Sequence, residues 1–233
     1  MAKQAHAISH GPAVETAAAP RYGDVQIRNR GRLPHWEMEE GLYFITFDLA
    51  DALPAQALHG MMERQRAFLA AENSRAHMLP GQKVLAAKYN QKEIQAYIDR
   101  GAGESVFKDP RIAEAMATAL RFGHGNRYRL IAWCVMPNHV HVVCRLLPGQ
   151  RLSDVVKSWK VYSAREANRI LGRSGALWRR EYYDRLIRRE GELDRAVRYV
   201  LSNPQMAGLK HWAWVWSEGQ EALGTAGQET GGT

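Results

Sequence analysis

The sequence predicts an α+β domain, an antiparallel sheet with helices laid on one side of it. Three observations lead there. Strand-like and helix-like patterns alternate in the order β-α-(α)-β-β-α-β-α. Two of the strand-like runs, residues 128–135 and 139–147, are separated only by Met136-Pro137-Asn138, a turn-prone connection that suits antiparallel pairing. The 233 residues, 45% apolar and 24% charged, have the size and balance of one globular domain and hardly of two large ones.

Taken in order, residues 1–32 are rich in Ala, His and small polar residues, carry some basic charge, and are expected to be flexible. Residues 41–50 (GLYFITFDLA) gather the β-formers Tyr43, Phe44, Ile45 and Thr46 into a strand. Pro54 opens a helix with apolar residues at Leu58, Met61, Met62, Phe68 and Leu69, and residues 74–105 read as a long, ill-defined connection around a short helical piece. Asp109-Pro110 starts a helix with Ile112, Met116 and Leu120 at i, i+4 and i+8. After the two β-rich runs, Ser153 is the expected N-cap of a helix that buries Val155, Val156, Trp159 and Tyr162. A strand over 183–188 leads into a helix from Gly191 to about Asn203, closed by Pro204, and residues 218–233 form a Gly/Thr/Ala-rich tail expected to be flexible.

Composition excludes several classes. The longest apolar run is eight residues, 130–137, short of the roughly 18 that span a bilayer. The opening MAKQAHAISHGP lacks the apolar block of a secretory signal, and Cys134 and Cys144 are too few for a disulfide scaffold, so a cytoplasmic protein with reduced core thiols is expected. Net charge is +8, with a pI near 9.7. Residues 145–199 hold fourteen Lys/Arg against seven Asp/Glu, and a basic surface of that kind has nucleic acid as its default partner.

Two features carry chemistry. His139 and His141 stand two apart on a strand, so both imidazoles leave one face while Val140 leaves the other. The pair suits a divalent metal, and equally a pair of hydrogen-bonded sheet histidines. On the last helix Leu193, Ala196, Val197, Val200 and Leu201 form an unbroken apolar stripe. Tyr199 and Asn203 fall together on its flank, one turn apart, beside the core rather than in it. A nucleophile with a metal-binding amide is one reading of them; a core-edge tyrosine and a helix-ending asparagine is the other.

The run Trp133-Cys-Val-Met-Pro-Asn-His-Val-His-Val-Val143 resembles the signature strand of the HUH single-tyrosine transposases. More narrowly, the chain resembles the REP-associated tyrosine transposases of bacteria. The resemblance also rests on Leu33-Pro-His-Trp36, Tyr43-Phe-Ile-Thr-Phe47, Ser158-Trp-Lys160, Ala176-Leu-Trp178, Arg180-Glu-Tyr-Tyr-Asp-Arg185, Ala196-Val-Arg-Tyr-Val-Leu-Ser-Asn-Pro204 and Ala207-Gly-Leu209. It implies a ferredoxin-like antiparallel sheet with helices packed mainly on one face, the HUH endonuclease fold, as a catalytic domain over 33–217. It implies that Tyr199 is the nucleophile, and that His139, His141 and Asn203 are ligands of Mg²⁺ or Mn²⁺. The implied reaction is metal-dependent nicking and strand transfer of single-stranded DNA hairpins through a 5′-phosphotyrosine. The partner would be a palindromic hairpin with a flanking recognition tetranucleotide, met at the nucleoid, by a monomer or a homodimer. Candidate DNA contacts are Lys157, Lys160, Arg179, Arg180, Tyr182, Tyr183, Arg185 and Arg188. Two rival readings are a nucleic-acid-binding protein with a decayed site and a His-x-His metal-dependent hydrolase that uses water.

Overall fold

The structure, a computed structural model, describes residues 26–29, 34–52, 96–99, 101, 103–189 and 191–218. The helix expected after Pro54 and most of the connection over 74–105 lie outside the described residues. A five-stranded, wholly antiparallel sheet forms the centre. Its strands are β3 (Leu42–Asp48), β4 (Tyr128–Val135), β5 (His139–Leu146), β6 (Tyr183–Leu186) and β7 (Val215–Ser217), in the order β6-β3-β5-β4-β7. A separate ribbon pairs β1 (Gln26–Asn29) with β2 (Pro34–Glu37). Among the described residues, the long helices are α1 (Pro110–Phe122), α2 (Leu152–Leu171) and α3 (Glu192–Met206). With α1 between β3 and β4, and α2 between β5 and β6, the first four sheet strands have the ferredoxin-like βαββαβ order. No helix among the described residues is long and apolar enough to cross a membrane.

Strand alternation divides the molecule into two cores. On one face, Tyr43, Ile45 and Phe47 of β3 and Val140, Val142 and Cys144 of β5 meet Ile112, Met116 and Leu120 of α1 and Val155, Val156 and Trp159 of α2. Trp159 is fully buried, stacked on Phe47 and set edge-on to Tyr128; burial of such a side chain contributes roughly 1.5–3 kcal/mol. On the other face, Leu42, Ala132, Cys134, Met136 and Val143 receive Val200, with Leu193, Ala196 and Val197 of α3 around it. Of the helices among the described residues, α1 and α2 cover one face and α3 the other, so the helices pack mainly on one face, as expected. The strand β5 is buried on both faces, and both are covered.

Several local expectations are corrected. Gln26–Asn29 falls within the stretch expected to be flexible, yet it pairs in register with Pro34–Glu37. Backbone pairing builds this ribbon, so apolar content gave no sign of it. The strand β7 was also not foreseen; three residues are too short to show alternation. Helix α2 begins at Leu152 with no side-chain cap, and the Ser153 hydroxyl is buried without a partner. Burial of Leu152 (1% exposed) draws the chain into the helix before the serine can cap it. Tyr162 is 44% exposed and not core. The buried stripe of α2 runs Val155, Trp159, Ser163 and Ala167, in steps of four, and turns away from Tyr162. Helix α3 carries Pro204 inside its last turn and ends at Met206. Pro204 is buried there, so the helix keeps its packing at the cost of one backbone bond. Asp109 does cap α1, accepting from Arg111 N at 2.9 Å with Pro110 following. Gly172, with φ 62°, ends α2 in the left-handed region.

Candidate active site

The site lies on the α3 face of the sheet. In β5, His139 and His141 point toward α3 while Val140 and Val142 enter the opposite core. Across the register, His141 sits opposite Thr46 of β3 and Cys134 of β4, and His139 opposite Asp48. Both imidazoles are fully buried.

Their orientation is fixed from behind. Asn138 Nδ2 donates to the Ile98 carbonyl at 3.1 Å, which leaves its Oδ1 to accept from His139 Nδ1 at 2.7 Å. An amide oxygen can only accept, so the His139 proton is on Nδ1 and its Nε2 presents a lone pair. His141 Nδ1 is held by Thr46 Oγ1 at 2.8 Å, and the two Nε2 atoms converge at 3.0 Å. Burial pulls the His139 pKa down to about 4, with the neighbouring His141 adding to the effect and Asp99 opposing it. His139 is therefore neutral near pH 7, as a metal ligand must be.

Tyr199 and Asn203 reach this point from α3. The Tyr199 ring sits edge-on to His141, with centroids 5.2 Å apart, and to Phe44 at 5.8 Å. Phe44 in turn stacks on His141 at 5.7 Å, so one ring braces both. The Tyr199 hydroxyl donates to Asp99 Oδ2 at 2.8 Å. Burial raises its pKa well above the usual phenol value; the Asp99 charge and hydrogen bond raise it further, and a hydrogen bond with Asn203 pulls the other way. Asn203 is buried, and its Oδ1 has no hydrogen-bond partner. Asp99 Oδ1 lies 3.3 Å from His139 Nε2 and 3.8 Å from His141 Nε2. Asp99, His139 and His141 thus offer donor atoms within 4.8 Å of one another. Two imidazoles, a carboxylate and an orphaned amide oxygen are a donor set that fits a divalent cation.

The structure brings Tyr199, His139, His141 and Asn203 together. Phe44, Thr46, Asn138 and Asp99 were not foreseen. Asn138 had a local signal, as the residue next to the first histidine; Asp99, in an unpatterned segment, had none. The chosen basic residues divide. Lys157, Arg180 and Arg188 are exposed. Lys160 Nζ instead donates to the carbonyls of Arg179 (2.8 Å), Glu181 (3.3 Å) and Arg180 (3.4 Å), near the rings of Phe47 and Tyr182. Burial lowers its pKa to about 8, and it ties α2 to the approach to β6. Arg179 is paired with Asp48 at 2.7 Å and Arg185 with Glu192 at 2.7 Å. Tyr182 packs against the core, whereas Tyr183 shares the face of Phe44 and meets it edge-on.

Residues 103–203 match the family model of IS200-like transposases. The match ends on Asn203 and leaves β3 and Asp99 outside. No curated protein sequence matches the chain. Solved structures similar to the chain include two at 14% identity. One is a REP-associated tyrosine transposase bound to a REP hairpin (TM-score 0.44, covering 79% of this chain and 81% of that one). The other is a putative transposase from Deinococcus radiodurans R1 (TM-score 0.30, covering 76% and 98%).

Proposed function

We propose that this chain, whose residues 103–203 match the IS200-like transposase family model, is a single-tyrosine transposase of the REP-associated kind that nicks and rejoins single-stranded DNA hairpins. The observation that carries the reading is the meeting of the Tyr199 hydroxyl with the converging Nε2 atoms of His139 and His141, through the shared carboxylate of Asp99.

His139 and His141, with Asn203, would hold a divalent ion, Mg²⁺ or Mn²⁺. When bound, such an ion supplies the electrophilic pull on a phosphate oxygen that an anionic diester needs before an oxygen nucleophile can approach. The chain does the rest. Phe44 and His141 fix the Tyr199 ring, and Asp99 Oδ2 stands where the phenol proton must leave. The Tyr199 oxygen bonds to phosphorus as the bond from phosphorus to the 3′-oxygen breaks, which gives a 5′-phosphotyrosine and, with a proton from solvent, a 3′-hydroxyl. The covalent link preserves the ester, so a second 3′-hydroxyl can reverse the step onto a new strand. A hairpin partner with a flanking tetranucleotide, met at the nucleoid, is what the family resemblance implies for this reading.

The test is a single-stranded REP-type hairpin labelled on the 3′ side of the break and run on a denaturing gel with Mn²⁺. Wild type should retain label on protein. Tyr199→Phe and His139→Ala should each lose adduct and cleavage, while hairpin binding persists. An adduct that survives Tyr199→Phe removes this nucleophile. Cleavage without any adduct favours the hydrolase, and binding without cleavage favours the decayed binding protein.

A further inference from the structure

Asp99 enters the site from residues 96–99, a helical piece that precedes the family-matched segment. It is firmly placed. Ile98 beside it is 2% exposed, and the Ile98 carbonyl accepts from both Asn138 Nδ2 and Gly101 N. The asparagine that orients His139 therefore also anchors the turn that delivers the carboxylate.

We propose that Asp99 is itself a ligand of the divalent ion and, through its second oxygen, the link between that ion and Tyr199. The inference rests on the metal-dependent reading above and deepens it. A carboxylate serving only to hold the phenol would need one oxygen there, and Oδ2 does that. Oδ1 instead faces His139 Nε2 at 3.3 Å, on the nitrogen that carries the lone pair. Two acceptors face to face are stable only when they share a cation or a proton. The carboxylate adds a hard, anionic oxygen to two neutral imidazoles, and so favours Mn²⁺ or Mg²⁺ over what nitrogen ligands alone would hold. Ion and nucleophile are then joined by one side chain, and occupancy of the metal site changes the surroundings of the phenol.

The experiment uses the purified full chain without DNA. Mn²⁺ binding is followed by the electron paramagnetic resonance of the free ion, and tyrosine by ultraviolet difference absorption in the same titration. Wild type should bind one ion. Asp99→Asn, which keeps the shape, should weaken binding by about tenfold or more, and Tyr199→Phe should leave it within about twofold, since the phenol is not a ligand. Mn²⁺ should produce a tyrosine difference signal in wild type that is absent from Tyr199→Phe. Should Asp99→Asn fail to fold, that comparison decides alone: a signal supports the link and its absence overturns it. Wild-type affinity in folded Asp99→Asn, with affinity lost in His139→Ala, overturns the role of Asp99 and leaves the metal reading standing. A wild-type chain that binds no Mn²⁺ overturns both.

Discussion

His139 is held in place by a neighbour in the chain. Asn138 fixes the tautomer, and burial keeps the ring neutral with its pKa near 4. The folded state thus refuses a proton that the unfolded chain accepts near pH 6.5. Stability of the metal-free protein should be full above about pH 6.5 and fall as pH drops toward 4, by an amount on the order of 3 kcal/mol. Denaturant unfolding of wild type and His139→Gln at several pH values checks this, and the variant should show a shallower acid loss. Tyr199 is not the exposed phenol that the edge of an apolar stripe led one to expect. It bonds a carboxylate in a half-buried site, so Tyr199→Phe should cost about 1.5–3 kcal/mol of stability as well as all chemistry. Thermal melts would show it. Opposite His141, Cys134 is a second nucleophilic atom on this face, but burial drives its thiol pKa far up and keeps it protonated. The imidazole pair was legible because residues two apart on a strand must share a face, and Tyr199 with Asn203 because one helical turn separates them. Asp99 was illegible because its partners lie forty and a hundred positions away, and a single acid in an unpatterned segment names none of them.

At the level of elements, Tyr128 is the joint that holds two helices to the sheet. Its hydroxyl accepts from Trp159 Nε1 of α2 at 2.7 Å and from Gly123 N after α1 at 3.2 Å, and donates to the Leu120 carbonyl at 2.8 Å. Tyr128→Phe would strand a buried indole N–H and a backbone N–H, and should destabilise the protein by about 2–4 kcal/mol, read from urea midpoints. The strands that frame the site were legible in runs of β-branched and aromatic residues. The buried face of α2 was only half legible, since hydrophobicity chose Tyr162 over Ser163. Ser163 is inside because its hydroxyl donates to the Trp159 carbonyl and accepts from Trp178 Nε1, a pairing that sequence spacing cannot display.

Across the whole molecule, charge was legible in amount and less so in use. Of the basic residues between β5 and α3, Lys160, Arg179 and Arg185 are spent on internal partners. Lys157 and Arg180 are exposed, and they are the better candidates for phosphate contact. Replacing both with alanine should lower the slope of log affinity against log salt for a single-stranded hairpin by about one to one and a half units. Arg179→Ala should act mainly on stability, by leaving Asp48 buried without its cation. Fluorescence anisotropy over a salt series separates the two.

The pleat of β5 gives the gene a two-letter rhythm. Odd positions 139 and 141 face the candidate site, and even positions 140, 142 and 144 carry the α1 and α2 core. Saturating mutation of this strand should therefore sort into alternating phenotypes: protein that accumulates but lacks the proposed cleavage, then protein that does not accumulate. A single codon inserted before His139 would exchange the two sets at once, turning imidazoles into the greasy interior and valines toward the tyrosine.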